Sequence, residues 1–195
     1  MKTPASHPID SFRKLYEQRC QFDIPVHEAA VLATATKDGH PSARVVLIKA
    51  FDESGFVFYT NLASRKAQEM RENPQAALCF YWEEVHHQIR VEGKVEPVTN
   101  READDYFATR PRGSQLGAWA SKQSSVLENR EDLENRLQKY QQKFAGKNVP
   151  RPDFWSGFRL LPERFEFWER REDRLHERIL YVKQGDGWKM TYLYP

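Results

Sequence analysis

The sequence predicts a mainly β protein, an antiparallel barrel with helices packed at its periphery. Three observations carry that reading. Short β-prone runs recur along the chain and are joined by tight turns, the clearest being Lys37-Asp38-Gly39-His40, whose Asp-Gly pair is a hairpin signal. The strands outnumber the crossover helices that a βαβ succession needs, which disfavours a doubly wound parallel sheet. Aromatic residues make up 13% of the chain, with twelve Phe and five Trp, enough to build a core in spite of 30% charged residues. At 195 residues the chain is expected to form a single domain over 1–195, and no break demands a second one.

The elements follow in order. Ile9, Phe12, Leu15, Tyr16 and Arg19 recur at helical spacing behind Pro8, so an N-terminal helical segment is expected within 1–24. Ala29–Thr36, Pro41–Ala50 and Gly55–Thr60 read as three strands of an antiparallel meander. A helix is expected from Ser64 to about Asn73, stopped by Pro74, and then strands over Gln75–Trp82 and His87–Val98. Thr99-Asn100-Arg101-Glu102 has the form of a capping box and opens a helix to about Arg110. Leu133, Leu137, Tyr140 and Phe144 mark an amphipathic helix, so 99–147 reads as a helical insertion. After the stiff Val149-Pro150-Arg151-Pro152 linker, strands return at about 157–170, 174–183 and 187–194, forming the C-terminal strands of 157–195.

Composition excludes several classes. The two cysteines, Cys20 and Cys79, cannot form a disulfide framework, and their usage suits a reducing, cytoplasmic setting. A formal charge of +2 lacks the basic excess of a nucleic-acid binder. The longest apolar run, Ala76–Trp82, is seven residues, against about 20 for a membrane helix. The start, MKTPASHPID, lacks the apolar stretch of a signal peptide. No G-x-G-x-x-G or Walker A loop occurs. Ser11-Phe12-Arg13-Lys14 has S-x-x-K spacing but no K-T-G partner and lies on a helix.

Four clusters carry chemistry-bearing residues. Glu83, Glu84, His86 and His87 are metal-ligand types, but adjacent strand residues face opposite ways, and a solvated loop accounts for them better; no metal is expected. Ser64 is a plausible N-cap, which puts Arg65 and Lys66 in a first helical turn. Cations there oppose the helix dipole, so the turn suits a phosphate; two exposed surface cations are the plainer alternative. Tyr106, Arg110 and Ser114 follow at steps of four and suit a second phosphate, although Tyr106 could equally be core. The run Arg164 to Arg178 holds five arginines and five acids and could be a self-neutralised strand pair. Yet Arg174, His176 and Arg178 alternate by two, which would place them on one strand face opposite Leu175 and Ile179, fit for a planar anion.

Four stretches, ARVVLIK (43–49), FVFYTNLASRKA (56–67), YFATRPRGSQLGAWASKQSS (106–125) and FEFWERREDRLHERILY (165–181), are long and ordered. In these the chain, from about Pro25 to Pro195, resembles the pyridoxamine/pyridoxine 5′-phosphate oxidases. The resemblance implies a split β-barrel of the FMN-binding type and a homodimer with FMN at the subunit interface. It implies oxidation of pyridoxamine 5′-phosphate and pyridoxine 5′-phosphate to pyridoxal 5′-phosphate in vitamin B6 metabolism, with dioxygen reduced to hydrogen peroxide. Hydride would pass from C4′ of the substrate to the flavin, and the imine formed from the amine would hydrolyse.

Carried over by position, the resemblance assigns to FMN the strand residues Arg44, Val45, Val46, Leu47, Ile48 and Lys49. Arg65 and Lys66 match its phosphate ligands, and Tyr59, Thr60, Gln88, Gln123 and Ser124 further contacts. Trp168 and Arg178 match residues that reach FMN from the partner subunit. Lys49, Tyr106, Arg110 and Ser114 match the substrate phosphate site. Arg174 and His176 match the catalytic pair that holds the pyridoxyl ring, with Leu175 between them as a further substrate contact. Two departures stand out. Many members carry a longer N-terminal arm with an Arg-x-x-Tyr segment, and none precedes the first helix here, so active-site closure is expected to differ. His87 stands where the family has arginine, which is expected to alter a salt bridge. Two alternatives use the same residues: an FMN oxidase of another pathway such as phenazine biosynthesis, and a flavin- or pyridoxal-phosphate-binding carrier without turnover.

Overall fold

A computed structural model describes residues 7–195; the first six residues, part of the expected N-terminal segment, lie outside the described residues. The eight strands are β1 (Ala29–Ala35), β2 (Pro41–Asp52), β3 (Gly55–Asn61), β4 (Gln75–Trp82), β5 (His87–Pro97), β6 (Trp155–Glu169), β7 (Glu177–Gln184) and β8 (Gly187–Leu193). The five helices are α1 (Pro8–Arg19), α2 (Arg65–Glu72), α3 (Asn100–Thr109), α4 (Arg112–Ala120) and α5 (Arg130–Lys143). The strands run antiparallel in the order β3-β2-β1-β4-β5-β6-β7-β8, and an extra β3–β6 pairing closes the first six into a barrel.

Closure depends on the length of β6, 15 residues. One edge pairs with β5 through most of its length. The other edge is divided: Trp155–Leu160 pairs with β3, and Arg164–Glu169 pairs with β7. Between the two stretches a register shift at Glu92/Gly93 bends the β5–β6 ladder. Gly93 is required there, since a Cβ would stand 2.0 Å from the carbonyl oxygen of Leu161. Where β3 leaves the edge of β6, the β7–β8 hairpin replaces it, so the barrel carries a two-stranded extension.

The core is largely aromatic. Phe12 of α1 is 1% exposed and meets Phe51, Phe56 and Phe80 edge-on at centroid distances of 4.9, 4.9 and 5.0 Å. Helix α1 therefore plugs one end of the barrel, and truncating Phe12 to alanine would cost about 3–5 kcal/mol. His7 caps the helix by accepting from the Ile9 amide at 3.2 Å, and Pro8 follows where its missing N–H costs nothing. Arg13 and Tyr16 do have Arg-x-x-Tyr spacing, but within α1: Arg13 pairs with Asp10 at 2.9 Å, and Tyr16 stacks near Phe12 and Trp82. A second, smaller core of Phe107, Leu116, Phe144, Val149 and Trp155 fastens α3, α4 and α5 to the start of β6.

The structure departs from the sequence reading in two places. Helix α4 was not anticipated between the two helices expected within 99–147; Pro111 is its N-cap residue, where proline is harmless. The expected strand from 174 starts only at Glu177. Residues Glu172–Arg174 form a 3-10 turn in which Asp173 and Arg174 have φ of +53° and +60°. The alternation of Arg174, His176 and Arg178 along one strand face therefore does not exist. The Glu83, Glu84 and His86 cluster does lie in the loop between β4 and β5, as expected, where His86 closes the 3-10 turn Glu83–Val85 with φ +57°.

Candidate active site

A cavity of about 640 Å³ opens beside the barrel where β2, β3 and the start of β6 meet α2, α3 and α4. Its wall from β2 is Val45, Val46, Leu47 and Lys49. Lys49 is the extra residue of a β-bulge, since Ile48 pairs with Phe58 and Ala50 with Val57. Lys49 keeps the phase of Val45 and Leu47 and so faces the cavity with them, its Nζ 2.6 Å from Glu28 Oε1; the bulge shifts the alternation only from Ala50 onward.

Strand β3 contributes Tyr59, Thr60 and Asn61. The Tyr59 ring lies nearly parallel to Tyr106, at 4.0 Å, and to Trp155, at 5.3 Å, and those two are 6.2 Å from each other. The stack needs Gly157, whose added Cβ would stand 2.7 Å from the Tyr59 ring. Lys66, in the first turn of α2, reaches Thr60 Oγ1 at 3.2 Å and Gln123 Oε1 at 3.1 Å. These hydrogen-bond partners are neutral oxygens. Burial, and then nearby Arg44, push the ammonium below the usual lysine range. Such a cation gains from an added anion.

The other end of the cavity holds Tyr106, Arg110 and Ser114. The capping box predicted for α3 is present, with Thr99 Oγ1 accepting from the Glu102 amide and Glu102 accepting from the Thr99 amide at 2.9 Å. Arg110, just past the end of α3, lies over the Trp155 ring at 4.8 Å. Its Nη1 is buried without a hydrogen-bond partner. Burial lowers its pKa, yet a guanidinium stays charged in proteins. A buried, charged donor without an acceptor is costly, and a ligand oxygen would satisfy it.

The cavity thus gathers Val45, Val46, Leu47, Lys49, Tyr59, Thr60, Lys66, Tyr106, Arg110, Ser114 and Gln123 of the expected residues. Others lie elsewhere. Ile48 is buried in the core. Arg44 is tied to Thr34, Ser42 and Glu69 and does not line the cavity, though its charge acts on Lys66. Arg65 bonds Glu69 through Nε at 2.8 Å, so its place in the first turn does have a stabilising partner four residues on. Ser124, with φ +71°, lines the next hollow along the 121–128 loop.

The remaining residues form a second group. Gln88, Trp168 and Arg178 are register partners across β5, β6 and β7. The Trp168 and His176 rings are 4.4 Å apart. His176 Nδ1 accepts from the Arg171 amide at 3.2 Å. Arg178 bonds Glu166 at 2.7 Å and the Tyr194 carbonyl at 3.0 Å. Leu175 is 71% exposed. This group sits at the far end of β6, thirteen residues along the strand from Trp155 of the cavity.

Trp155, Asn61, Thr109, Gly117, Ala118 and Ser121 also line the cavity and were not anticipated. Asn61 carried a local signal, an Asn before a helix start; its Oδ1 accepts from the Ala63 amide at 2.8 Å. His87 contacts the Val85 carbonyl through Nδ1. Among the described residues no His, Cys, Asp and Glu side chains converge as a metal site, and no helix is long and apolar enough to cross a membrane.

Residues 17–144 match the family model described as pyridoxamine 5′-phosphate oxidase. Residues 155–195 match the one described as the pyridoxine 5′-phosphate oxidase C-terminal dimerisation region. A pyridoxine/pyridoxamine 5′-phosphate oxidase of Rubrobacter xylanophilus is 54% identical over 96% of this chain and 87% of its own length. One from Myxococcus xanthus is 55% identical over 96% of this chain and 91% of its own length. Among solved structures, PhzG from Burkholderia lata, in complex with tetrahydrophenazine-1-carboxylic acid, superposes with a TM-score of 0.93 at 34% identity, covering 98% of this chain and 94% of PhzG. A pyridoxamine 5′-phosphate oxidase-related, FMN binding protein from Nostoc punctiforme shares the fold, with a TM-score of 0.77 at 17% identity over 97% of this chain and 98% of that one. Matched through both halves of its length, the chain belongs to the pyridoxamine 5′-phosphate oxidase family.

Proposed function

We propose that this chain is an FMN-dependent oxidase that converts pyridoxamine 5′-phosphate and pyridoxine 5′-phosphate to pyridoxal 5′-phosphate. The observation that carries the reading is one cavity with two separate groups of cations and donors, Lys66 with Thr60 and Gln123 at one end and Arg110 with Tyr106 and Ser114 at the other, with a further cation, Lys49, on its β2 wall. Two such ends suit two phosphates, one from a cofactor and one from a substrate. The donor set fits a mononucleotide, because Lys66 has only neutral hydrogen-bond partners and no dinucleotide fingerprint occurs in the sequence.

FMN, when bound, supplies the redox chemistry. The chain's residues bind and orient. Arg110 and Lys49 hold the substrate phosphate with charge-assisted bonds, while Tyr106 and Ser114 add hydroxyl donors. The Tyr59, Tyr106 and Trp155 rings form a rigid apolar wall that keeps water from that end. The substrate carbon C4′ is oxidised to an aldehyde and dioxygen is reduced to hydrogen peroxide. With the amine substrate, water supplies the aldehyde oxygen and ammonia leaves.

Arg174 and His176 serve the site from a second copy of the chain, and the reading is of a homodimer with FMN at the interface. Two features support it. The two groups of expected residues lie at opposite ends of β6. The cavity wall also runs into an apolar sheet face: Val45 is 64% exposed and Leu47 40%, and Val31, also 40% exposed, pairs with Val45. A second copy covering that face would bury it.

The experiment is to release the bound flavin by denaturation, identify it by chromatography, and measure peroxide on adding pyridoxamine 5′-phosphate to the intact holoprotein. FMN and stoichiometric peroxide are expected. FAD, or a yellow protein that binds the phosphorylated substrate without releasing peroxide, refutes the reading.

A further inference from the structure

We propose that Glu28 is a built-in counter-anion of the substrate phosphate subsite, sharing Lys49 with the phosphate and thereby limiting how tightly phosphorylated substrate and product are held. The inference rests on the functional reading above and assigns a residue that reading does not use.

The pair is fixed by the fold. Glu28 stands just before β1, and its carbonyl accepts from the Ile48 amide at 2.9 Å, one step beyond the Ala29–Leu47 register. Its backbone is therefore pinned beside the bulge at Lys49. The carboxylate reaches Nζ at 2.6 Å, with 31% of the Glu28 side chain and 24% of the Lys49 side chain exposed. At that burial the pair is only partly screened by solvent. The hydrogen bond from Lys49, and then one within its own backbone, hold the Glu28 carboxyl below its ordinary range, so it is ionised at neutral pH.

The other cations of the cavity are arranged differently. Arg110 leaves Nη1 without a partner, and Lys66 bonds neutral oxygens. Lys49 is the cavity cation that brings a carboxylate of its own. An ammonium has three donors, so two remain for a phosphate, but the incoming dianion then meets a carboxylate on the same nitrogen. Like charges that close repel. Substrate and product carry the same phosphate, so any grip on it that is too strong would also retard product release. A carboxylate on one of the two subsite cations moderates that grip while leaving Arg110 at full charge.

Glu28→Gln removes the charge and keeps an oxygen that can accept from Lys49, so the geometry is retained. The measurements are KM and kcat of the holoenzyme for pyridoxine 5′-phosphate and for pyridoxine, and the Kd for pyridoxal 5′-phosphate by absorbance titration. Expected in Glu28→Gln is a fall on the order of tenfold in the KM for pyridoxine 5′-phosphate and in the Kd for pyridoxal 5′-phosphate, with the values for pyridoxine unmoved. Glu28→Asp keeps the anion and should keep the wild-type affinities. Unchanged or weaker binding of the phosphorylated ligands in Glu28→Gln overturns the proposal, as does equal tightening for pyridoxine. Tightening in Glu28→Asp equal to that in Glu28→Gln overturns it too, because charge would not be the cause. A wild-type enzyme indifferent to the phosphate would instead refute the functional reading itself.

Discussion

Replacing Glu69 by glutamine should remove stability in a pH-dependent way, and the structure sets the size. Glu69 lies on α2 with only 4% of its side chain exposed. Burial raises the pKa of such a carboxyl, but hydrogen bonds from Ser42, Thr34, Arg65 and Arg44 overturn that and bring it to about 2, against 4.5 for the free group. The bond lengths agree: 2.6 Å to Ser42, 2.5 Å to Thr34, 2.8 Å to Arg65 Nε and 3.2 Å to Arg44. At 1.36 kcal/mol for each tenfold change in proton affinity, this amounts to about 3 kcal/mol of folding stability. Because the folded pKa is the lower one, that stability is fully present above pH 4.5 and is lost as pH falls from there toward 2. Glu69→Gln has no such charge to lose. Urea unfolding of both holoproteins at one fixed concentration should show a gap of about 3 kcal/mol at pH 7 that closes as pH approaches 2. A gap of the same size at pH 7 and pH 3 would refute the reasoning, since it would mean that the carboxylate charge contributes nothing and only shape was lost.

Two further outcomes follow from the cavity. Arg110→Ala should lower kcat/KM for pyridoxine 5′-phosphate by about 10- to 150-fold, the value of one charge-assisted bond, and leave pyridoxine nearly untouched; equal losses on both substrates in steady-state kinetics would deny it a phosphate role. Because Nη1 has no protein partner, removing Arg110 orphans no acceptor there and the fold should persist. Mixing Arg110→Ala with Arg174→Ala under conditions of subunit exchange should restore about a quarter of wild-type activity, because half the dimers would be mixed and each would carry one unaltered site. Activity that stays at the sum of the two variants would place Arg110 and Arg174 in one chain's site.

How much of this was legible in the sequence depended on the range of the interactions involved. Elements with local causes were readable at nearly their final bounds: the capping box of α3, the Asp-Gly turn before β2, and the helix ended by Pro74. Barrel closure was harder. No local signal says that β6 divides one edge between β3 and β7 while Gly93 lets the ladder bend. The errors are local conflicts won by the backbone. Strict alternation assumes extended dihedrals, and Asp173 and Arg174 take φ of +53° and +60° instead, so Arg174 and His176 left the strand. The argument that Arg65 serves no helical purpose overlooked Glu69 four residues on, a spacing visible in the sequence. Trp155 was passed over because its value lies in contacts made across the chain, with Tyr59 and Arg110.

The same strand explains why the expected site residues divide into two groups. Cavity residues enter through the β3 end of β6, where Gly157 lets Tyr59 lie flat and Trp155 carries Arg110. Trp168, His176 and Arg178 enter through the β7 end, where Arg178 is tied to buried Glu166 and to the Tyr194 carbonyl. At about 3.3 Å per residue the contour between Trp155 and Trp168 is roughly 40 Å, and apart from one register shift β6 stays paired with β5 from Phe158 to Glu169, which carries the Trp168 end away from the cavity that starts at Trp155. If Arg174 and His176 act on the ligand held by Lys66 and Arg110, a second chain must supply them. The divided edge of β6 closes, with its first half, the barrel that shapes the cavity; on the proposed homodimer reading its second half would carry a hairpin outward to another copy's cavity.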